Sequence, residues 1–171
     1  MNNLPLPPLY PLINKSGKQI SYFDKLVEYV SNYLKEDDIY LSFDGYTETI
    51  LEYNNLKEND FSRAWELTKK INAWTEYFSS ISNLIQKLYL DSETTKIETQ
   101  AIASFSSDSI KVANGDRLAN KDSSVVNARK KRNTLKSFYD ELESKIKFME
   151  RAYYHCKATC DWATKPNQQN F

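Results

Sequence analysis

The chain has 171 residues with 23 basic and 23 acidic side chains, 27% charged residues and 40% hydrophobic residues. This composition is typical of a single folded domain, and it excludes a disordered chain and a uniformly basic nucleic-acid coat. Three glycines and one histidine leave little for enzymes that need a phosphate-binding glycine loop or an imidazole base. We therefore expect a non-enzymatic protein that needs no cofactor.

The sequence predicts neither membrane insertion nor secretion. No apolar run reaches the length of about 18 residues that a spanning helix needs, and no charged segment followed by an apolar core opens the chain. The two cysteines, Cys156 and Cys160, are too few for a disulfide framework. We expect the protein in a reducing cytoplasm and away from membranes.

Residues 1–14 are predicted to form an extended arm, because they hold four of the five prolines and proline disfavours a helix interior. Within the arm, Pro8-Leu-Tyr-Pro11 matches a minimal proline-rich ligand motif. We take Pro8, Tyr10 and Pro11 as candidate partner-binding residues, with packing on the protein's own subunits as the alternative use of the arm.

Residues 15–58 are predicted to form a short helix followed by a small β-hairpin. Ser21 and Asp24 have the spacing of a capping box, and the apolar residues that follow have helical spacing: Phe23, Leu26, Val27, Val30 and Leu34. Ile39, Leu41 and Phe43 then alternate up to Asp44-Gly45, which is typical of a hairpin turn. The acidic pair Asp37 and Asp38 lies between the two elements, and we count both as candidate partner-binding residues.

Residues 59–162 are predicted to form a long antiparallel helical hairpin, and residues 163–171 a flexible tail. Glycine and proline are missing from long stretches on both sides of Gly115, and apolar residues there recur in alternating steps of four and three. The first series is Leu67, Ile71, Trp74, Phe78, Ile81, Ile85 and Leu88; the second is Leu135, Tyr139, Leu142, Ile146, Met149, Tyr153, Cys156 and Cys160. Asp60 is a candidate N-cap for the first helix, and Asp122, Ser123 or Ser124 for the second.

Two parts of this hairpin depart from the heptad pattern. Asp91–Gln100 lacks apolar seam residues, so we expect its seam to be solvated or to meet another chain. At the turn, short apolar alternation flanks Asn114-Gly115 from Ile110 to Leu118, which favours a small β-hairpin at the tip. The fold class is therefore mainly α: a long antiparallel helical hairpin, a short N-terminal helix, a small β-hairpin and a proline-rich arm.

Charge is balanced over the whole chain but not along it. Residues 24–60 hold ten acids and three bases, whereas residues 127–157 hold nine bases and four acids. Two opposite poles favour either head-to-tail self-association or the binding of a polyanion to the basic pole.

The densest basic group is Arg129-Lys-Lys-Arg132, near the start of the second long helix. Cations oppose the macrodipole at a helix N-terminus, so stability alone does not explain them. Bases followed by exposed aromatics, here Phe138, Phe148 and Tyr154, suit a phosphate backbone with unpaired bases. The alternative is a solvated basic face paired with nearby acids, with the aromatics in the core of the hairpin. The candidate nucleic-acid-binding residues are Arg129, Lys130, Lys131, Arg132, Lys136, Lys111, Arg117 and Lys121.

A metal site is not expected. His155, Cys156 and Cys160 lie within six residues of one another, but a structural zinc needs four ligands. Both cysteines also fall on the apolar seam, where a free thiol behaves as a small hydrophobic side chain.

From about Arg63 to Trp162 the chain resembles the UvsY-type recombination mediator proteins of tailed phages. The shared elements are a first long helix (Trp65–Leu90), a polar break with Gly115 and Asp116, and a return helix that begins near Val125-Val-Asn-Ala-Arg129. The resemblance implies a homo-oligomer that binds single-stranded DNA and helps to load a recombinase. It also implies DNA contact near the break, but there Lys96, Lys111, Arg117 and Lys121 are scattered, and the dense group is Arg129–Arg132.

Our leading hypothesis is thus a non-enzymatic, oligomeric protein that binds single-stranded nucleic acid in the cytoplasm of a phage host. A phage structural or assembly adapter, located in the virion and contacting virion proteins, is the first alternative. The second is an inhibitor that presents the acidic surface near Asp37, Asp38 and Asp44 to a host nucleic-acid-binding protein.

Overall fold

The computed structural model describes residues 12–13, 19–35, 38–105 and 112–164. The described chain is mainly α, as predicted. Its elements are two-residue strands β1 (Leu12–Ile13) and β2 (Gln19–Ile20) and helices α1 (Tyr22–Leu34), α2 (Tyr46–Asn54), α3 (Phe61–Phe105), α4 (Val112–Ala119) and α5 (Ser123–Thr164). The strands pair antiparallel, with Leu12 opposite Ile20. No helix in the described ranges has a stretch long and apolar enough to cross a bilayer.

The chain divides into two compact units, each built from two separate segments. The first unit comprises Met1–Leu41 and Asp91–Phe138, and the second comprises Ser42–Leu90 and Tyr139–Phe171. Helices α3 and α5 each contribute one part to each unit, α1 and α4 belong to the first unit, and α2 belongs to the second.

The helix starts follow the predicted capping residues. The Ser21 hydroxyl accepts from the Asp24 amide at 2.9 Å, and the Asp24 carboxylate accepts from the Ser21 amide at 3.2 Å, which completes the capping box of α1. Asp60 Oδ1 accepts from the Arg63 amide at 3.1 Å at the start of α3. Asp122 Oδ1 accepts from the Ser124 amide at 2.7 Å at the start of α5. Hydrogen bonds from Ser124 hold the pKa of the Asp122 carboxyl below its usual value.

In the second unit, α3 and α5 run antiparallel along an apolar seam, as the heptad pattern predicted. The Cys160 thiol lies 3.8 Å from the Phe61 carbonyl oxygen near one end, and the Ser82 hydroxyl donates to Glu143 Oε1 at 2.7 Å near the other. As the residue number on α3 rises from 61 to 82, the number of the contacting residue on α5 falls from 160 to 143, so the two helices are antiparallel. The buried seam side chains are Leu67, Ile71, Phe78, Ile81, Ile85, Leu142, Met149 and Cys156.

The core of the first unit includes a contact between α1 and α5. Phe23 stacks on Phe138 with ring centroids 5.8 Å apart, and both rings are buried. The other large buried side chains here are Leu26, Val30, Leu34, Val125 and Leu135. The short amphipathic helix is thus held by its apolar face, whose burial is the main stabilising term for so short a helix.

The predicted β-hairpin at residues 39–50 is wrong, because residues 46–54 form helix α2. Gly45 adopts φ +82° and precedes the first residue of α2 as its N-cap, so it turns the chain into a helix. Tyr46 and Phe43 then pack on Phe78 of α3, with centroids 4.9 and 5.3 Å apart. Burial of these rings against α3 outweighs the local preference of Asp-Gly for a hairpin.

The β-hairpin predicted at the tip, Ile110–Leu118, is also not formed. Residues 112–119 are helix α4, and Ile110 lies outside the described residues. A glycine within a helix costs only about 1 kcal/mol relative to alanine, so Gly115 does not prevent this short helix. The predicted arm, apart from Leu12–Ile13, and the predicted tail from residue 165 onward lie outside the part of the chain that the structure describes.

We expect Gly45→Ala to lower the free energy of unfolding by about 1–2 kcal/mol, the cost of a left-handed conformation for a residue with a Cβ atom. A Cβ atom added there lies 3.9 Å from the Trp74 ring, which is ordinary van der Waals contact, so the loss comes from backbone strain. Chemical denaturation measures it. Gly45→Asn is the control and should lose less, since asparagine tolerates positive φ; an equal loss for both variants would contradict the strain argument.

Candidate nucleic-acid interface

The seam between α3 and α5 is polar in the first unit. Ser92 is buried there, and the Arg132 guanidinium forms an ion pair with the Glu93 carboxylate. Lys96 also donates to Glu93, at 2.7 Å. Hydrogen bonds from these two cations hold the pKa of the Glu93 carboxyl below its usual value, and the bond from Lys96 has the larger effect.

Arg129 extends the same polar seam by one helical turn. Its guanidinium donates to Gln100 Oε1 at 3.3 Å and to the Asn120 side chain, which follows α4. The polar stretch Asp91–Gln100 therefore meets the basic run of its own chain, and not only solvent or another chain. Two of the four consecutive bases thus have a structural role, which accounts for cations near the start of α5 despite the helix dipole.

The two lysines of the run are placed differently. Lys131 Nζ lies 5.3 Å from the centroid of the Tyr33 ring of α1, a cation–π contact within the first unit. Lys130 is exposed and has no hydrogen bond or ion pair with any described residue. Lys136, one turn further along, is half-buried.

The structure places two further predicted residues near this run. Arg117 and Lys121 are exposed and pair with no other described side chain, and the Arg129–Asn120 hydrogen bond brings the end of α4 beside α5. Lys111 lies outside the described residues. We define the basic segment as residues 117–138, which carry seven bases and one acid, Asp122.

Of the candidate partner-binding residues, the structure describes only Asp38, which is exposed with φ +55°. Pro8, Tyr10, Pro11 and Asp37 lie outside the described residues. Partner binding by these five residues stays a prediction.

The three aromatics expected to accompany the bases have different environments. The prediction that Phe138 is exposed is wrong, because its ring is buried against Phe23. Phe148 is half-buried, with its ring centroid 5.9 Å from that of Tyr53. Tyr154 alone is mainly exposed, at 67%.

The cysteine and histidine side chains of α5 are part of the packing of the second unit. Burial, followed by the neighbouring Cys160, raises the pKa of the Cys156 thiol to about 11, so this thiol is protonated at neutral pH and unsuited to act as a nucleophile. The Tyr53 hydroxyl and His155 Nδ1 are hydrogen-bonded at 3.1 Å. The pKa of Tyr53 is raised, mainly by burial of its hydroxyl. The described side chains include no group of three acidic, histidine or cysteine residues that could hold a metal ion.

Sequence reasoning missed a groove of about 260 Å³ in the second unit, between the first turns of α3 and the last turns of α5. We call it the Trp65 groove. Its lining includes Trp65, Lys69 and Asn72 from α3 and Tyr153, Lys157 and Asp161 from α5. The signal in the sequence was the spacing of 65, 69 and 72 by four and three residues, which places them together on one face of α3 beside the seam.

Comparison with family models, with curated proteins and with solved structures found no match to this chain. The resemblance to UvsY-type mediators therefore stays a prediction, and the assignment of a function depends on the geometry described above.

The ion pairs of Glu93 predict a pH-dependent contribution to stability. Because the folded protein lowers the pKa of this carboxyl, its contribution is fully present above the ordinary value of about 4.3 and is lost as the pH falls through the lowered value. We expect Glu93→Gln to lower the thermal unfolding midpoint at pH 7, and the gap to the parent protein to be smaller at pH 3.

Glu98→Gln is the matched control, since Glu98 is an exposed glutamate on the same helix with no ion pair among the described residues. It should give no such gap at either pH. A Glu93→Gln gap of the same size at both pH values would show that the loss comes from packing and not from charge.

Proposed function

We propose that the protein is a non-enzymatic, oligomeric protein that binds single-stranded nucleic acid through the basic segment of its first unit. The observation that carries this proposal is the availability of Arg117, Lys121 and Lys130, which are exposed and pair with no described side chain. They lie on a segment of seven bases and one acid. Such a local excess of positive charge attracts phosphates whatever the base sequence.

The arginines have a different part in this proposal from the one that the sequence indicated. Arg129 and Arg132 join α3 to α5 through Gln100 and Glu93, so their charges are partly used within the fold. They shape the surface that presents the unpaired cations. Phosphate contact is therefore assigned first to Arg117, Lys121 and Lys130.

Tyrosines of α1 support single strands over duplexes. Lys131 lies over the Tyr33 ring, and Tyr29, one turn earlier on the same helix, is 54% exposed. A single strand offers unpaired bases that stack on such rings, whereas bases within a duplex are already stacked on one another. Loading of a recombinase, which the resemblance implies, belongs to the same proposal and would be tested by adding a recombinase to the protein–DNA complex.

A second candidate is an assembly adapter, and exposed apolar side chains in the first unit favour it. Phe105 is 90% exposed at the end of α3, and Ile97 and Leu118 are each more than half exposed. Large exposed apolar side chains that lie together are typical of contacts with other proteins, and here Ile102 and Leu118 line the same groove. The mass in solution separates the candidates: the adapter should form the same assembly with or without single-stranded DNA and should not bind the DNA.

We expect the triple variant Arg117→Gln, Lys121→Gln, Lys130→Gln to weaken binding to single-stranded oligonucleotides of every sequence. Each phosphate contact contributes about 0.7 to the slope of log K against log salt concentration, so the slope should become shallower by about 2. The measurement is fluorescence anisotropy of a labelled oligonucleotide at several salt concentrations.

The control removes the same charge from another place, with Lys25→Gln, Lys35→Gln and Lys57→Gln. These lysines are exposed, lie in or beside the acidic region, and have no ion pair with the described side chains. The control should keep the parent's affinity and slope. If the parent protein does not bind an oligonucleotide even at low salt, the proposed function is wrong.

A further inference from the structure

The Trp65 groove combines an exposed ring, a half-buried ring and two exposed cations from two helices that are distant in sequence. Trp65 is 58% exposed, although it is a large apolar side chain. Lys69 and Lys157 are also exposed, and Tyr153 lines the wall contributed by α5. The basic segment of the first unit shares no residue with this groove, so the groove needs its own explanation.

Trp65 and Lys69 form one structural pair within the groove. Lys69 Nζ lies 5.3 Å from the centroid of the Trp65 ring, within the range of a cation–π contact. An anion bound by this ammonium is therefore held within a few ångströms of an exposed aromatic ring. A nucleotide has the matching pair of groups, a negatively charged phosphate and a flat base.

The α5 side supplies a second cation and a second ring. Lys157 lies one helical turn after Tyr153 and makes no ion pair with the described residues, so it can bind the same or the next phosphate. The Tyr153 ring contacts the exposed Tyr154 ring edge-on, with centroids 5.5 Å apart. Two rings and two ammonium groups thus border one groove.

Asp161 is the acid that lines this groove, and its position limits where a phosphate can bind. It follows Cys160, whose thiol contacts the Phe61 carbonyl, so it lies at the end of the groove where α3 begins. Lys69 and Asn72 lie about two and three turns further along α3. A phosphate is therefore favoured at the Lys69 end, away from the carboxylate.

The volume of the groove also limits its ligand. At about 260 Å³ it is smaller than the roughly 300–1,000 Å³ of sites that enclose a whole small molecule. It has room for one planar base resting on Trp65, with the sugar and phosphate outside.

We propose that the Trp65 groove binds one nucleotide of a single strand, with the unpaired base stacked on Trp65 and the phosphates held by Lys69 and Lys157. The proposal rests on the proposed function, since it takes single-stranded nucleic acid as the ligand. It adds a stacking site in the second unit, separate from the phosphate contacts of the basic segment.

The test measures binding of a short oligothymidylate to the full chain by anisotropy and by quenching of tryptophan fluorescence. Trp65→Ala should weaken binding by roughly 5- to 150-fold, the usual effect of removing one stacking ring, and should remove most of the quenching. Lys69→Gln with Lys157→Gln should keep the quenching at saturation but make the salt slope shallower by about 1.4. Trp65 is mainly exposed, so circular dichroism should show an intact fold.

Two control variants match these changes. Tyr40→Ala removes an exposed aromatic ring outside the groove, and Lys147→Gln removes an exposed cation elsewhere on α5. Both should bind like the parent. A thymidine mononucleotide is the comparison ligand, because a free nucleotide has the same base and phosphate; it should quench far more weakly than the oligomer at equal nucleotide concentration.

The possible results separate this inference from the proposed function. If the parent binds the oligomer and Trp65→Ala binds it equally well, the groove proposal is overturned and the basic segment keeps its assignment. If the mononucleotide quenches as strongly as the oligomer, the groove binds free nucleotides and the assignment to a strand is wrong. If only the triple variant of Arg117, Lys121 and Lys130 loses affinity, the second unit has no part in binding.

Discussion

Antiparallel pairing of α3 with α5 is the constraint on which the other features of this protein depend. In the second unit it buries an apolar stripe on each helix, and in the first unit it brings Glu93 and Gln100 to Arg132 and Arg129. Long helices gain most of their stability from such a buried face. Once the register is fixed, it decides which side chains are used within the fold and which remain on the surface.

The seam between α3 and α5 is apolar in the second unit and polar in the first unit, and this difference explains the basic run. Two helices with an apolar seam can pair in several registers. An ion pair such as Glu93–Arg132 forms in only one of them. Replacing a half-buried ion pair as a whole changes the free energy of unfolding little, although removing one partner destabilises the fold, and fixing register is the best-attested role of such a pair. A cluster of bases on a helix is therefore a poor indicator of a nucleic-acid site until its internal partners are known; here the informative cations are the unpaired ones.

The sequence predicted the elements whose signal is local and repeated. The heptads of α3 and α5, the capping box of α1 and the caps at Asp60 and Asp122 were all readable. Prediction was wrong at Asp44-Gly45, because a left-handed glycine can begin a helix as well as a hairpin. Tyr46, Thr49, Ile50 and Tyr53 have the spacing of a helix face, but they form a helix because α3 and α5 offer rings to pack on. The exposure predicted for Phe138 is wrong for the same reason, since its ring is buried by contact with Phe23 of α1.

The spacing of residues 65, 69 and 72 is the only signal of the Trp65 groove in the sequence, and it does not predict a groove by itself, for a reason that applies to helical hairpins in general. Its two walls are more than 80 residues apart in the chain, and its residues lie beside the heptad stripe, where either polar or apolar side chains are tolerated. Trp65 adds little to the core, because more than half of its surface is exposed. The Trp65 ring is therefore available to the ligand proposed above, and the lysine over the ring favours one that carries negative charge as well as a flat apolar surface.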